Sequence, residues 1–412
     1  MPASAQHSPF GFEELSAMDL RGINDIGATI DAAVEAIAPG LIEVRRDIHA
    51  HPEIGFEVQR TAGVVAAELD KLDIPYRTGI GRTGIVAEIE GGAPGPCLLI
   101  RADMDALPIQ EMTGLPFAST VPGAMHACGH DIHTATLIGV GAVLQQLAPR
   151  LRGRIRLVFQ PAEETPESGA AAMILDGAAD GADMALAFHN SPTMPVGRFG
   201  YIHGASTASA DTFDITVRGR SGHAARPQDA ADPIVAAAYL VTQLQTVVSR
   251  SIDPAQGAVV TVGSIAGGAT HNIIPDTCTL RGTVRARSPE ARTVAETTIR
   301  RIVQGIELTQ GVTCELDYQL GVPPLMNDPR MLEASVAAVR AQFGEVVDET
   351  APGFGAEDFA FFSERVPSFH LRVGAGQPGR NDHLHNSDYQ PDERCIALGA
   401  AALVRSAVEL LS

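Results

Sequence analysis

The sequence predicts an α/β fold with a mostly parallel sheet, interrupted by a smaller inserted α+β unit of ferredoxin-like βαββαβ order. Three observations carry this. Strand-like and helix-like stretches alternate from Leu41 to Phe188, the rhythm of a parallel sheet with helical crossovers. From Thr212 to Leu320 the order becomes strand, helix, strand, strand, helix, strand, the split βαβ unit. The chain of 412 residues also exceeds what one hydrophobic core usually serves. The expected organisation is a larger domain in two parts, 1–204 and 322–412, with the smaller domain, 205–321, between them.

The elements follow in order. Leu41–Ala50 is amphipathic and stops at His51-Pro52, because proline disfavours helix in the residue before it. Thr61–Leu72 is a second helix. Ile85, Ala87 and Ile89 alternate along the strand Gly84–Glu90, and Cys97–Ala102 is the short apolar run of a buried strand. A long Ala/Leu/Val helix, Asp131–Leu147, precedes strands at Arg154–Phe159 and Met184–Phe188. In the insert, Phe213, Ile215 and Val217 alternate along Thr212–Arg218. Asp232–Val248 is a helix with Pro233 in its first turn, where no partner is lost. Strands Ala258–Ile265 and Thr277–Arg285, helix Pro289–Thr309 and strand Val312–Leu320 complete it. Helical patterning resumes from Pro324, and the chain ends in the amphipathic helix Arg394–Leu411. Residues 1–25 read as a loosely held arm.

Lys plus Arg number 30 against 49 Asp plus Glu, a net charge of −19. Such a surface repels nucleic acid and anionic membrane, so neither is an expected partner. No run approaches the ~18 apolar residues of a membrane span. The first ten residues lack a basic segment followed by an apolar core, so no secretory signal is read there and a cytoplasmic location is expected. Five cysteines at irregular spacing do not form a disulfide framework. Cys97, Cys278, Cys314 and Cys395 have apolar or strand-like neighbours and read as small buried hydrophobes. Cys128 differs because of its company.

Cys128 and His130 share a glycine-containing turn at the start of the long helix. A helix start and a nearby cation favour a thiolate, a good ligand for zinc or another borderline metal. Alone, C-x-H is more often a buried cysteine beside a solvated histidine. Glu163 and Glu164 follow a strand that Pro161 ends, so both carboxylates can turn toward one site at the carboxyl end of the sheet. One can then bind metal while the other serves as general base for an activated water. Asp105 could orient a ligating imidazole, and Asp103 has a structural reading. His189 and His385 are further imidazole candidates; His126, His133 and His383 read as spare imidazoles near the site, more of them bystanders than ligands. In the insert, His223 in a Gly-rich loop and Asn272 in a second loop are donors suited to a developing oxyanion. Isolated, both would be ordinary loop residues. Gly79–Gly84 and Gly374–Gly379 each match G-x-G-x-x-G, but no helix follows, so both read as turns rather than dinucleotide sites.

These residues resemble the M20 family of metallopeptidases, in particular its amidohydrolase branch of hippurate and auxin-conjugate hydrolases. The matching stretches are RRDIHAHPEIGFE from Arg45, IRADMDALPI from Ile100, HACGHDIHTATLIG from His126 and VFQPAEE from Val158. They continue with GRSGHAARP from Gly219, HNIIPD from His271 and GAEDFAFF from Gly355. The resemblance implies a zinc-peptidase-like catalytic domain with the insert as a lid and dimerisation domain. It implies a two-metal site held by Cys128, His130, Glu164, His189 and His385, with Glu163 as general base and Asp105 behind the ligands. The two divalent ions could be Zn, Mn, Co or Ni. It further implies that His223, with Asn272, reaches the site from the lid, in the wider family from the partner subunit of a homodimer. Arg285 is a candidate anchor for a substrate carboxylate. The chain departs from the family at Gln228, at Thr165–Gly169 and after His385, where the frequent proline is missing.

The expected activity is hydrolysis of the amide bond of an N-acyl amino acid, N-acetyl, N-benzoyl or similar, to a carboxylic acid and a free amino acid. A dipeptidase or desuccinylase on the same scaffold is the nearer alternative. A non-catalytic binding protein that retains the fold is the more distant one.

Overall fold

A computed structural model describes residues 25–344, 346–348 and 353–412. The expected N-terminal arm lies outside them, apart from Asp25. The chain divides into two compact units. One runs to Gly204, resumes at Asn327 and includes Phe361–Ser412; the other is Ala205–Met326 with a short stretch ending at Ala360.

The first unit is built on an eight-stranded sheet. Its order is Tyr76–Ile80, Gly84–Glu90, Arg152–Gln160, Ala93–Asp103, Met184–Pro195, Ser368–Gly376, Phe199–Tyr201, Val346–Asp348. The four central strands, from Arg152–Gln160 to Ser368–Gly376, are mutually parallel. Their carboxyl ends therefore lie together, where such sheets hold ligands. The apolar runs read from the sequence form these central strands: Leu98, Leu99, Ile100, Leu157, Phe159 and Leu186 are all fully buried. The helices Ile26–Ala50, His130–Leu147 and Arg394–Leu410 pack together through Ile37, Leu41, Ile138 and Leu403 in the same core.

Three expectations need correction. The first helix begins not at Leu41 but at Ile26, capped by the Asp25 carboxylate, which accepts from the Gly27 and Ala28 N–H groups at 2.9 and 3.3 Å. Pro39 lies inside it. Burial of Ile30, Val34, Ile37, Leu41, Val44 and Ile48 at helical spacing outweighs the roughly 3 kcal/mol that an interior proline costs. The strand Ser368–Gly376, a central member of the sheet, has no counterpart in the sequence reading. Gly374 and Gly376 belong to that strand rather than to a turn, whereas Gly79–Gly84 does span the turn between two antiparallel strands.

The second unit holds a four-stranded antiparallel sheet in the order Ala258–Gly267, Thr277–Ala286, Ala210–Arg218, Thr313–Val322. With helices Pro233–Thr246 and Pro289–Gln310 in the two crossovers, this is the ferredoxin-like arrangement. Phe213, Ile215 and Val217 are buried while Thr212, Asp214 and Arg218 face solvent, so the alternation reports a sheet covered on one side. Asp232 and Ser288 cap the two helices. The first helix ends at Thr246 and widens into a π-type turn, Val247–Ser251, instead of continuing to Val248. Among the described residues no helix is long and apolar enough to cross a membrane.

Candidate metal centre

Four separate stretches of the first unit deliver side chains to one place. Cys128 ends a loop, Gly129 turns the chain with φ of +91°, and His130 opens the helix His130–Leu147. That left-handed φ suits glycine, and a Cβ there would lie 2.3 Å from Asn190 Nδ2. Glu163 and Glu164 follow Ala162, itself left-handed at φ +54°. Both oxygens of the buried Asp105 carboxylate accept from this loop, from the Glu163 N–H at 2.9 Å and the Glu164 N–H at 3.1 Å. His189 lies within the strand Met184–Pro195. Its Nδ1 is 2.7 Å from the Asn190 carbonyl; a carbonyl only accepts, so Nδ1 carries the proton and the Nε2 lone pair faces Cys128 Sγ at 3.4 Å. His385 is held with φ +63° by its N–H, which donates to the Ala127 carbonyl at 2.8 Å.

Ligand atoms of Cys128, His130 and His189 lie within 4.8 Å of one another, as do those of Cys128, Glu164 and His385, and of His130, Glu163 and Glu164. The overlapping groups share Cys128, His130 and Glu164, so they form one contiguous set of donors, as adjacent cations need. His130 is the most telling member. It is buried, yet neither ring nitrogen makes a well-formed hydrogen bond. Nδ1 lies 3.4 Å from Asp105 Oδ1, and Nε2 lies 3.7 Å from Asp103 Oδ2 and 3.9 Å from Glu164 Oε1. Buried polar nitrogens are nearly always satisfied. One thiol, three imidazoles and carboxylates around such a group fit borderline divalent ions.

The electrostatics of the four residues divide: His189 and Glu164 are held in their ligating forms, Cys128 and His130 are not. Burial pushes the Cys128 thiol well above its ordinary pKa and outweighs the His130 imidazole, which lowers it. The helix start therefore does not by itself make the thiolate expected from the sequence; a cation in contact would. Burial disfavours protonated His130, but Asp103, Cys128 and Asp105 together raise its pKa well above the usual value. Burial and His133 hold the His189 imidazole neutral, the form that ligates. The Glu164 carboxyl, despite burial, is lowered by its contact with His385 at 3.2 Å.

Behind these residues lies a layer that the sequence reading missed. His133 is not a bystander: its Nδ1 pairs with Asp103 Oδ1 at 2.6 Å, and its Nε2 accepts the Asn190 N–H at 3.1 Å. Arg101 donates to Asp103 Oδ2 at 2.6 Å and to Gln160 at 2.8 Å. A second network explains the stretch from Arg45. Arg45 Nε and His49 Nδ1 each lie 2.7 Å from Asp131 Oδ2, next to His130, and Arg45 also reaches Glu393 at 3.2 Å. His126 is buried and His383 is exposed, and neither belongs to the groups above.

Of the insert's candidates, His223 and Asn272 are neighbours and Arg285 stands apart. His223 pairs with Ile273 across a short antiparallel bridge, so the Asn272 loop lies beside it. The exposed His223 ring accepts the Ala225 N–H at Nδ1, 3.0 Å, which leaves Nε2 as its donor when neutral. Arg285 is half-buried near the far end of the strand Thr277–Ala286. Eight residues of strand separate it from Thr277, roughly 27 Å at the ordinary rise.

A family model for Peptidase family M20/M25/M40 matches residues 99–409. The chain belongs to that family. It is 39% identical over 385 residues to an N-acetylcysteine deacetylase of Bacillus subtilis, covering 92% of this chain and 99% of that one. It is 37% identical over 385 residues to thermostable carboxypeptidase 1 of Saccharolobus solfataricus, covering 91% and 96%. Among solved structures, a dinuclear metal binding peptidase from the M20 family of Bacillus subtilis matches with a TM-score of 0.81 and 35% identity over 92% of this chain and 99% of that one. This M20-family member is a hydrolase of the amidohydrolase type, with the two-part α/β architecture of the family.

Proposed function

We propose that the protein hydrolyses the amide bond of N-acyl amino acids, with short N-acyl groups such as acetyl as the first class to test. The observation that carries this reading is the convergence of the buried Cys128, His130 and His189 with the partly buried Glu164 and the exposed His385, with both His130 nitrogens lacking hydrogen bonds. The similarity to an N-acetylcysteine deacetylase supports the substrate class. In this reading those five residues hold two divalent ions. When bound, the ions supply Lewis acidity, which makes water acidic near neutral pH and polarises a carbonyl.

The chain's own residues do the rest. Glu163, grouped with His130 and Glu164, takes the proton from the attacking water and passes it to the leaving amine. Asp105 fixes Glu163 and Glu164 through their backbone N–H groups and faces His130 Nδ1, so one carboxylate positions a base and two ligands. His223 donates from Nε2 to the oxyanion, with Asn272 beside it. Arg285, half-buried on the strand Thr277–Ala286, anchors the substrate carboxylate, and a homodimer is the assembly this reading expects.

The test uses purified protein stripped with a chelator and resupplied with zinc, manganese, cobalt or nickel. Hydrolysis of N-acetylcysteine should switch on with metal and off with chelator. Glu163→Gln should lose about 10²-fold or more in turnover while metal content by elemental analysis stays unchanged. Equal turnover in that variant removes Glu163 from the base role. The likeness to a carboxypeptidase favours one second reading, cleavage of short peptides; N-acyl amino acids and dipeptides assayed side by side decide between them.

A further inference from the structure

We propose that Tyr389, acting through Asn190, is a positioning residue for the metal centre, its hydroxyl latching together the segments that carry Cys128, His189 and His385. The inference rests on the ligand set just proposed.

Asn190 follows His189 and is fully buried. The Cys128 carbonyl can only accept, so the Asn190 atom facing it at 2.7 Å is the amide nitrogen. Its Oδ1 must then accept, and the donor is the Tyr389 hydroxyl. The same amide nitrogen lies 2.9 Å from His133 Nε2. That nitrogen therefore accepts, and His133 donates from Nδ1 to Asp103, which is already paired with Arg101. The chain of donors and acceptors is determinate from Arg101 to Tyr389, and none of its members can turn over without leaving a buried group unpaired. Burial raises the Tyr389 pKa well above that of ordinary tyrosine, so its hydroxyl remains a donor.

The latch bears on the ligands by geometry. The turn from His385 to Tyr389 is tied to the Cys128 loop twice: His385 N–H donates to Ala127 O at 2.8 Å, and Tyr389 reaches Cys128 O through Asn190. His385 carries a φ of +63°, which a non-glycine residue keeps only when its surroundings impose it. Gly129 fits the same picture, because the Asn190 amide occupies the place of a Cβ. The Tyr389 ring packs on Met125 and Ala127, so Tyr389→Phe removes the hydroxyl and keeps the packing.

The experiment titrates full-length, metal-free protein with zinc in competition with a chromophoric chelator, and records the thiolate-to-cobalt absorption band with cobalt in place of zinc. Tyr389→Phe should bind zinc about tenfold more weakly or worse and shift the cobalt band, with a cooperative melt in the metal-free state. Asn190→Asp, which sets an oxygen against the Cys128 carbonyl, should act in the same direction and decides the matter should Tyr389→Phe not fold. Tyr201→Phe removes another buried hydroxyl, one that accepts from Arg340 at 3.3 Å, and should leave zinc affinity unchanged. Wild-type affinity in folded Tyr389→Phe overturns the proposal, and so does an equal loss in Tyr201→Phe. If Cys128→Ala binds zinc as the wild type does, the ligand set itself fails, a result distinct from failure of the latch.

Discussion

His49 shows how a single side chain beside the centre converts burial into pH dependence. Burial and Arg45 lower its pKa, yet Asp131 and Glu111 outweigh them and hold it above the ordinary value. A histidine raised in the folded state contributes stability fully below its unfolded pKa, ~6.5, and loses it as pH rises through the folded value. The window therefore lies above pH ~6.5, and each unit of elevation is worth about 1.4 kcal/mol. Urea unfolding of metal-free wild type and His49→Asn should show a larger stability difference at pH 6 than at pH 9. A difference that is constant or grows with pH removes the charged pair with Asp131 as its cause. At this scale the sequence was uneven. Cys128, His130, Glu163, Glu164, His189 and His385 could be picked out because sulfur, imidazole and paired carboxylates at loop positions are chemically conspicuous. His133, Asn190 and Tyr389 could not, because an imidazole, an amide and a phenol acquire positioning roles only through neighbours far away in the chain. One signal was available: His133 follows His130 by three residues, which places both on one helix face.

Between elements, the contact of helices Ile26–Ala50 and His130–Leu147 turns on one glycine. A Cβ on Gly139 would fall 2.6 Å from Leu41 Cδ1. Gly139→Ala should therefore cost about 1–3 kcal/mol by overpacking, and Leu41→Ala about 2–5 kcal/mol by leaving a cavity. Together they should cost clearly less than the sum, since the new methyl enters the space that leucine vacates. Additive losses in a denaturant-melt cycle would show that the helices separate instead of interlocking. The same helix marks where patterning is hard to read. Its first half was missed because Pro39 interrupts it and signals an end, while the apolar stripe that carries it through is rewarded only by partners on other elements. The strand Ser368–Gly376 was missed for a related reason. Buried on both faces between two strands, it shows no alternation, and its glycines resemble turn residues until the backbone beside them is known. Where one face meets solvent, as along Ala210–Arg218, the pattern alone sufficed.

For the whole molecule, the decisive feature is that the first unit is interrupted at a point where its chain ends meet. The Asn327 N–H donates to the Gly204 carbonyl at 2.8 Å. The Asn327 side chain also donates to Ile202 O at 2.8 Å and accepts the His370 N–H at 2.9 Å. The clasp belongs wholly to the first unit, as do all five proposed ligands and Glu163. Each unit has its own buried apolar core, the usual mark of a domain that can be removed without unfolding its host. Joining Gly204 to Asn327 through a short Gly/Ser linker, with Ala205–Met326 deleted, should leave a cooperative melt and the wild-type zinc stoichiometry. Turnover of N-acetylcysteine should nevertheless be lost, because His223, Asn272 and Arg285 leave with the insert. Loss of zinc binding together with activity would mean that the first unit does not hold its metal centre alone. Retained turnover with intact zinc binding would remove all three insert residues from the mechanism and leave Glu163 and the ligands to act without a donor from the lid.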